Sequence, residues 1–370
     1  MKEMIKVTPN NIGNLLNDKS IILFGAGITG KTVCNLLMQH GVKVIYFVDD
    51  DARKIGQKIQ NVEVMSYQAF TDFCDRTEKV FVVMSSIYGK EILGRLSKIP
   101  NTYIYEMYEW YCDAIQQSSC IGGSCDQNKI KEFGENIQTL IAYMDFDEQS
   151  VKVYTNLYLY LKTRDSNYIS DVCSEDEQYF IPEVLSAIKE PLEIVDAGAY
   201  EGELCRALTK LNLAVKYWYC FEADKKNYDK MLAIKDKSDL GSKQVCIDKG
   251  LWSQEKILFF SNAGTASRIV DEETECKIEV TSIDKYFKDK SYNFIKMDIE
   301  GSEFPALLGG INTIKKRRPI MAISIYHSLD DFFRIPRYLK ENLDNYYYCV
   351  RHHSLIFSET ILYAIPNELR

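Results

Sequence analysis

The chain runs to 370 residues, 46% hydrophobic and 26% charged, with a formal net charge of −8. That length exceeds what one core usually organises, so two domains are expected, and the acidic balance speaks against a broad nucleic-acid surface. No apolar run approaches the roughly 20 residues of a membrane span, and the opening MKEMIKVTPNN lacks a secretory signal's apolar stretch, so the expectation is a cytoplasmic protein with no membrane span and no nucleic-acid partner.

In chain order, SIILFGAG (Ser20–Gly27) reads as a strand entering a glycine turn, TGKTVCNLLMQHG as the helix it opens, and KVIYFVDDD as the next strand. Strand signals at Val62–Met65 and Val80–Ser85 continue the alternation, predicting a parallel, doubly wound sheet over residues 1–110. Gly25, Gly27 and Gly30 supply the GxGxxG spacing, and Asp49 ends the second strand. Such glycines permit a tight turn and close pyrophosphate approach at a helix N-terminus, while the acid can hold a ribose diol. One reading is a second nucleotide site at these four residues; the other is a structural or oligomerising unit of the same fold, which leaves homo-oligomerisation open. No dehydrogenase dyad follows the turn, which weakens an NAD-dependent oxidoreductase.

The alternation stops near Trp110. Residues 111–189 read as a helical linker, with helices at QTLIAYMDF, VKVYTNLYLYLK and QYFIPEVLSAIK. The eleven cysteines are scattered and contain no CxxC pair, which argues for reduced thiols. The tightest group, CIGGSC at Cys120–Cys125 with Cys112 nearby, is read as a loop of reduced thiols, with a metal or redox site as the alternative.

From Pro191 the alternation returns in a second domain, 190–370, with strands at Leu192–Asp196, Tyr217–Glu222, Gln244–Asp248, Phe294–Asp298 and Ile320–Ile325. Lys256–Phe260 and Lys277–Thr281 read as added strands, and NYYYCVRHHS with TILYAI as an antiparallel pair closing the sheet. Two of its strands end in acids followed by small-residue turns: VDAGAYEG (Val195–Gly202) and NFIKMDIEGSEF (Asn293–Phe304). Ligands of open α/β sheets collect beyond such carboxyl ends. Tyr200 and Glu201 crowd the first turn, and Asp196 would repel phosphate, so a cationic ligand such as S-adenosylmethionine fits it better than a dinucleotide. Glu222, ending a strand in FEAD, is placed for ribose hydroxyls.

His327, His352 and His353 follow predicted strands and are general-base candidates, each weighed against a structural histidine. His327 directly follows the strand beside Asp298; of His352 and His353, strand alternation lets one point inward. Asp298 and Glu300 could orient an acceptor, take its proton, or coordinate Mg2+ with His327. Alternatively Asp298 meets the cofactor and Glu300 caps the next helix. Arg351, Arg268 and the loop Ser261–Arg268 are candidate acceptor contacts.

EIVDAGAYEGE, CFEAD, VTSIDKYF, NFIKMDIEGSEFPALLGG, RRPIMAISIYHSLDDFFRIPRYL and RHHSLIFSETILYAI, in this order across Leu192–Ala364, resemble the FkbM-type S-adenosylmethionine-dependent methyltransferase family. The resemblance implies a class I methyltransferase sheet and methyl transfer, usually to a hydroxyl oxygen of a sugar, glycan or natural product. Carried over by position, it places Asp196, Gly198, Ala199, Tyr200 and Gly202 on the cofactor's methionine and ribose, Glu222 on the ribose diol, and Asp248 and Trp252 around the adenine. Asp298 would face the cofactor, and His327 the acceptor. The stretch Ile21–Ser66 resembles the N-terminal domain of sugar-nucleotide acetyltransferases, which implies a nucleotide sugar there. A nucleotide-sugar-binding sensor or assembly module with a non-catalytic second half is the alternative function.

Overall fold

Strands β1 (Met4–Lys6), β2 (Ser20–Phe24), β3 (Lys43–Val48), β4 (Lys58–Ile59), β5 (Val62–Met65), β6 (Val80–Met84) and β7 (Thr102–Glu106) build the first sheet of the computed structural model. It describes residues 4–7, 11–84, 89–107, 127–163, 165, 167–235, 240–260, 269–270, 277–355 and 357–370. The sheet runs β1-β7-β6-β2-β3-β5-β4, parallel throughout except where β4 meets β5. Side chains of β2 alternate between two cores: Ile21 and Leu23 pack on one face, Ile22 and Phe24 on the other. A strand buried on both faces reads as a continuous apolar run, as SIILF does.

The chain divides into two compact units, one over Met1–Asp126 and one over Gln127–His353 and Phe357–Arg370. The second contains β8 (Leu192–Ala197), β9 (Val215–Phe221), β10 (Gln244–Ile247), β11 (Gly250–Leu251), β12 (Lys256–Phe260), β13 (Ile269–Val270), β14 (Lys277–Thr281), β15 (Phe294–Met297), β16 (Ile320–Ser324), β17 (Tyr346–His352) and β18 (Thr360–Pro366). Its main sheet runs β10-β9-β8-β15-β16-β18-β17. The first five strands of that order are parallel, and β18 lies antiparallel between β16 and β17. This is the parallel sheet closed by an antiparallel pair that the sequence predicts. A smaller sheet, β11-β14-β12-β13, is inserted between β10 and β15.

The helices placed in a linker belong instead to this second unit. The helix Glu148–Thr163 is held by Tyr154 Oη donating to the Phe332 carbonyl at 2.8 Å, and the helix Gln127–Tyr143 by Phe133 packed edge-on to Phe332. Their buried aromatic faces need an apolar partner, which a solvated linker would not supply.

The sheet reverses direction of growth between β8 and β15, opening a crevice beyond their carboxyl ends. Register sets what faces it: Asp196 pairs with Lys296 and Ala197 with Met297, while Met297 also aligns with Ile323. The residues that follow, Gly198, Asp298 and then Tyr326 and His327 beyond β16, therefore gather at one sheet edge.

Candidate active site

The turn after β8 is held tightly against the strand beside it. Gly198 has φ +78°, and a Cβ there would lie 1.8 Å from the Asp298 carbonyl oxygen. Only glycine meets both demands. Tyr200 at φ +49° and Gly202 at φ +85° continue the left-handed course, which is unusual for tyrosine. Glu222, just past β9, pins this turn: one carboxylate oxygen accepts from the Tyr200 amide and the other from the Asp224 amide, both at 2.8 Å. Burial pushes the Glu222 carboxyl up to about 7 against the pull of those amides. Ala199 is buried, its amide bonded to the Phe221 carbonyl.

Asp196 does not line the crevice. It is 0% exposed; Trp218 Nε1 donates to one oxygen at 3.0 Å, and Lys296 Nζ lies 3.1 Å from the other. Lys296, a cation inside an otherwise apolar strand, also donates to the Gly198 carbonyl at 2.5 Å. Burial would lower its pKa, but Asp196, Asp298 and Glu222 outweigh that and raise it. The buried pair thus braces the turn from beneath. Asp248, expected near the adenine, is exposed one residue past β10 and paired with Lys225 at 3.0 Å. Trp252 lies between β11 and β12, with Lys256 over its ring.

Beyond β15, Asp298 is the centre of a polar cluster. The Tyr179 hydroxyl donates to Oδ2 at 3.0 Å, the Tyr326 hydroxyl to Oδ1 at 3.3 Å, and His327 Nε2 lies 3.5 Å from Oδ1. The same Tyr326 hydroxyl lies 3.2 Å from Glu359 Oε1, and the other Glu359 oxygen accepts from Gln178. Burial would raise the Asp298 carboxyl, yet His327, Lys296 and Tyr179 hold it below its ordinary value. Glu300, half-exposed with φ +53°, faces His327 Nε2 at 3.5 Å, and burial pushes its carboxyl up to about 7.

His327 sits among acids rather than beside a free base position. Its Nδ1 lies 3.0 Å from Glu303 Oε1. Burial disfavours the charged ring, but Glu303, Asp298 and Glu300 together push its pKa up to about 10. Both ring nitrogens of His327 face carboxylates, Nδ1 toward Glu303 and Nε2 toward Asp298 and Glu300. His352 and His353 make their contacts elsewhere. His352 is buried where β17 meets β18, its Nδ1 2.8 Å from Thr360 Oγ1, and His353 Nε2 is 2.7 Å from the Tyr363 hydroxyl. Neither joins the Asp298 cluster. Arg351, proposed for an anionic acceptor, is buried and paired with Asp147 at 2.7 Å and with Glu183. Cys112, Cys120, Cys125 and Ser261–Arg268 lie outside the described residues.

Among the described residues of this cluster, the metal-ligating atoms that converge belong to Asp298, Glu303 and His327, within 4.8 Å of one another. Glu303 joins Asp298 and His327 here, while Glu300 Oε2 lies 3.5 Å from His327 Nε2. Tyr179, Lys296, Tyr326, Glu359 and Glu303 were not singled out as site residues from sequence. Glu303 stood in the sequence as the acid that follows the DIEG signature, and Lys296 as a lysine within the apolar run FIKM.

In the first unit, Gly25 has φ +109°. Asp49 accepts from the Ala26 amide at 2.8 Å and from the Asp51 amide at 2.9 Å, and Lys54 Nζ lies 3.0 Å away. The acid expected to hold a ribose is engaged in closing its own turn.

The family model of the methyltransferase FkbM domain matches residues 196–346, and that of the C2185-like N-terminal domain matches residues 17–102. Among solved structures, methyltransferase FkbM from Methylobacillus flagellatus KT is 21% identical; the match covers 96% of this chain and 92% of that one, with a TM-score of 0.58. At that identity the likeness establishes the fold. The plantazolicin methyltransferase BpumL, in complex with a monoazolic desmethylPZN analogue and SAH, is 14% identical over 65% of this chain and 98% of its own, at a TM-score of 0.29. UDP-D-quinovosamine 4-dehydrogenase from Vibrio fischeri is 23% identical over 23% of this chain and 75% of its own, at a TM-score of 0.20. No curated protein matches the chain.

Proposed function

Because residues 196–346 form a methyltransferase FkbM domain, we propose that the second unit transfers a methyl group from S-adenosylmethionine to a hydroxyl oxygen of a sugar, glycan or natural product. The observation that carries this reading is the Gly198–Gly202 turn, pinned by Glu222 and pressed against Asp298. The residues around it suit the cofactor: acids at Glu222 and Asp298 favour a sulfonium and would oppose a diphosphate.

When bound, the cofactor supplies an electrophilic methyl group. The turn backbone would receive its methionine and ribose, Glu222 the ribose hydroxyls, and Asp248 and Trp252 would bound the adenine. Asp298, fixed by the Tyr179 and Tyr326 hydroxyls, would face the sulfonium. Glu300 is the half-exposed carboxylate beside it, 3.5 Å from His327, and would accept the hydroxyl's proton. Holding the acceptor in line supplies much of the acceleration, and a positioned base adds perhaps 10²–10⁴-fold.

Calorimetry with S-adenosylmethionine and S-adenosylhomocysteine tests the reading. Wild type is expected to bind both and Glu222→Ala to bind weakly; a folded wild type that binds neither would sink it. A nucleotide or nucleotide sugar at the Gly25–Gly30 turn would have to share Asp49 with Ala26, Asp51 and Lys54. Retention of such a ligand through purification, without S-adenosylmethionine binding, would favour the sensor or assembly module instead.

A further inference from the structure

Glu303 is an odd residue to find at 0% exposure, because half of its carboxylate is unaccounted for. Oε1 accepts from the Ile299 amide at 2.7 Å and faces His327 Nδ1 at 3.0 Å. Oε2 is buried with no hydrogen-bond partner among the described residues. An unpaired buried carboxylate oxygen is costly, and native proteins leave few.

The neighbouring histidine shows the same deficit. His327 is 8% exposed, and its Nε2 faces Asp298 Oδ1 and Glu300 Oε2, each 3.5 Å away, without a well-directed hydrogen bond to either. The cluster therefore holds Asp298, Glu300 and Glu303 against one histidine and the more distant Lys296. Ligand atoms that share one ion at about 2.1 Å stand roughly 3–4 Å apart, close to the 3.5 Å between His327 and Asp298. One atom each from Asp298, Glu303 and His327 lies within 4.8 Å of the others.

We propose that Asp298, Glu303 and His327 form a binding site for one divalent transition-metal cation, with Glu300 at its half-exposed margin. An imidazole with carboxylates suits a first-row dication such as Mn2+ better than an all-oxygen ion such as Ca2+. The cation would give the Glu303 carboxylate and the His327 ring, each with buried polar atoms lacking a hydrogen-bond partner, a shared one. Three protein ligands leave positions open, and Glu300 borders that side. Vicinal hydroxyls of a sugar-like acceptor have the chemistry to fill them. The site rests on these side chains alone and stands whether or not S-adenosylmethionine binds.

Mn2+ titration of the metal-free full chain, followed by electron paramagnetic resonance, tests it. One Mn2+ per chain is expected, with binding weakened about tenfold or more by Asp298→Asn and by Glu303→Gln, and with circular dichroism showing that each variant folds. Should Glu303→Gln not fold, Asp298→Asn and broadening of the His327 ring signals by Mn2+ carry the test. No saturable binding to folded wild type, or equal binding by wild type and Asp298→Asn, would overturn the site. Loss of Mn2+ binding with S-adenosylhomocysteine binding intact marks failure of this site alone, and the reverse marks failure of the methyl-transfer reading.

Discussion

Two carboxylates in this chain perform the same local task in different units. Glu222, beyond β9, accepts from the Tyr200 amide of the turn after β8; Asp49, beyond β3, accepts from the Ala26 amide of the turn after β2. Each fixes a left-handed glycine turn from the adjacent strand. The environments differ. Asp49 is paired with Lys54, whereas burial lifts Glu222 from its ordinary 4.5 to about 7. In the window between those values the folded protein holds a proton the unfolded chain has released, so Glu222 makes stability fall as pH rises through it. Ribose hydroxyls donating to this carboxylate would favour its ionised form. S-adenosylhomocysteine affinity is therefore expected to rise from about pH 6 to about pH 8, with proton release on binding. Calorimetry in buffers of different ionisation heat reads this directly, and Glu222→Gln should flatten the dependence. At Gly198 a methyl group is excluded by the Asp298 carbonyl 1.8 Å away. Gly198→Ala is expected to cost about 1–3 kcal/mol in urea unfolding and to weaken cofactor binding; an unchanged midpoint and affinity would count against the close approach.

At the level of elements, parallel register explains the buried ion pair. Asp196 and Lys296 are partners across β8 and β15, so their side chains leave the same face of the sheet. Lys296→Met would strand Asp196 without its counter-charge and is expected to destabilise by about 3–5 kcal/mol. Adding Asp196→Asn should recover part of that loss, and a single variant as stable as wild type would show that the pair braces nothing. The strand pattern was legible because parallel strands buried on both faces are continuous apolar runs, as in FIKM and IMAIS. The acids at their ends were legible for the same reason. Histidine roles were not, because they depend on partners distant in sequence. Glu303 and Asp298 surround His327, while Thr360 and Tyr363 occupy His352 and His353. The helices between 127 and 187 looked like a linker because their anchors, Phe332 and Arg351, lie far down the chain.

At the scale of the whole molecule, two units each carry a parallel sheet with a carboxylate-pinned glycine turn, and the acidic cluster beyond β15 and β16 adds reactive groups to the second. S-adenosylhomocysteine is therefore expected in the second unit. A cocrystal of the full chain with S-adenosylhomocysteine is the most direct measurement. The expected result is density over the Gly198–Gly202 turn, with the ribose hydroxyls on Glu222 and the sulfur toward Asp298. Density at the Gly25–Gly30 turn, or a ligand that leaves Glu222 untouched, would contradict it.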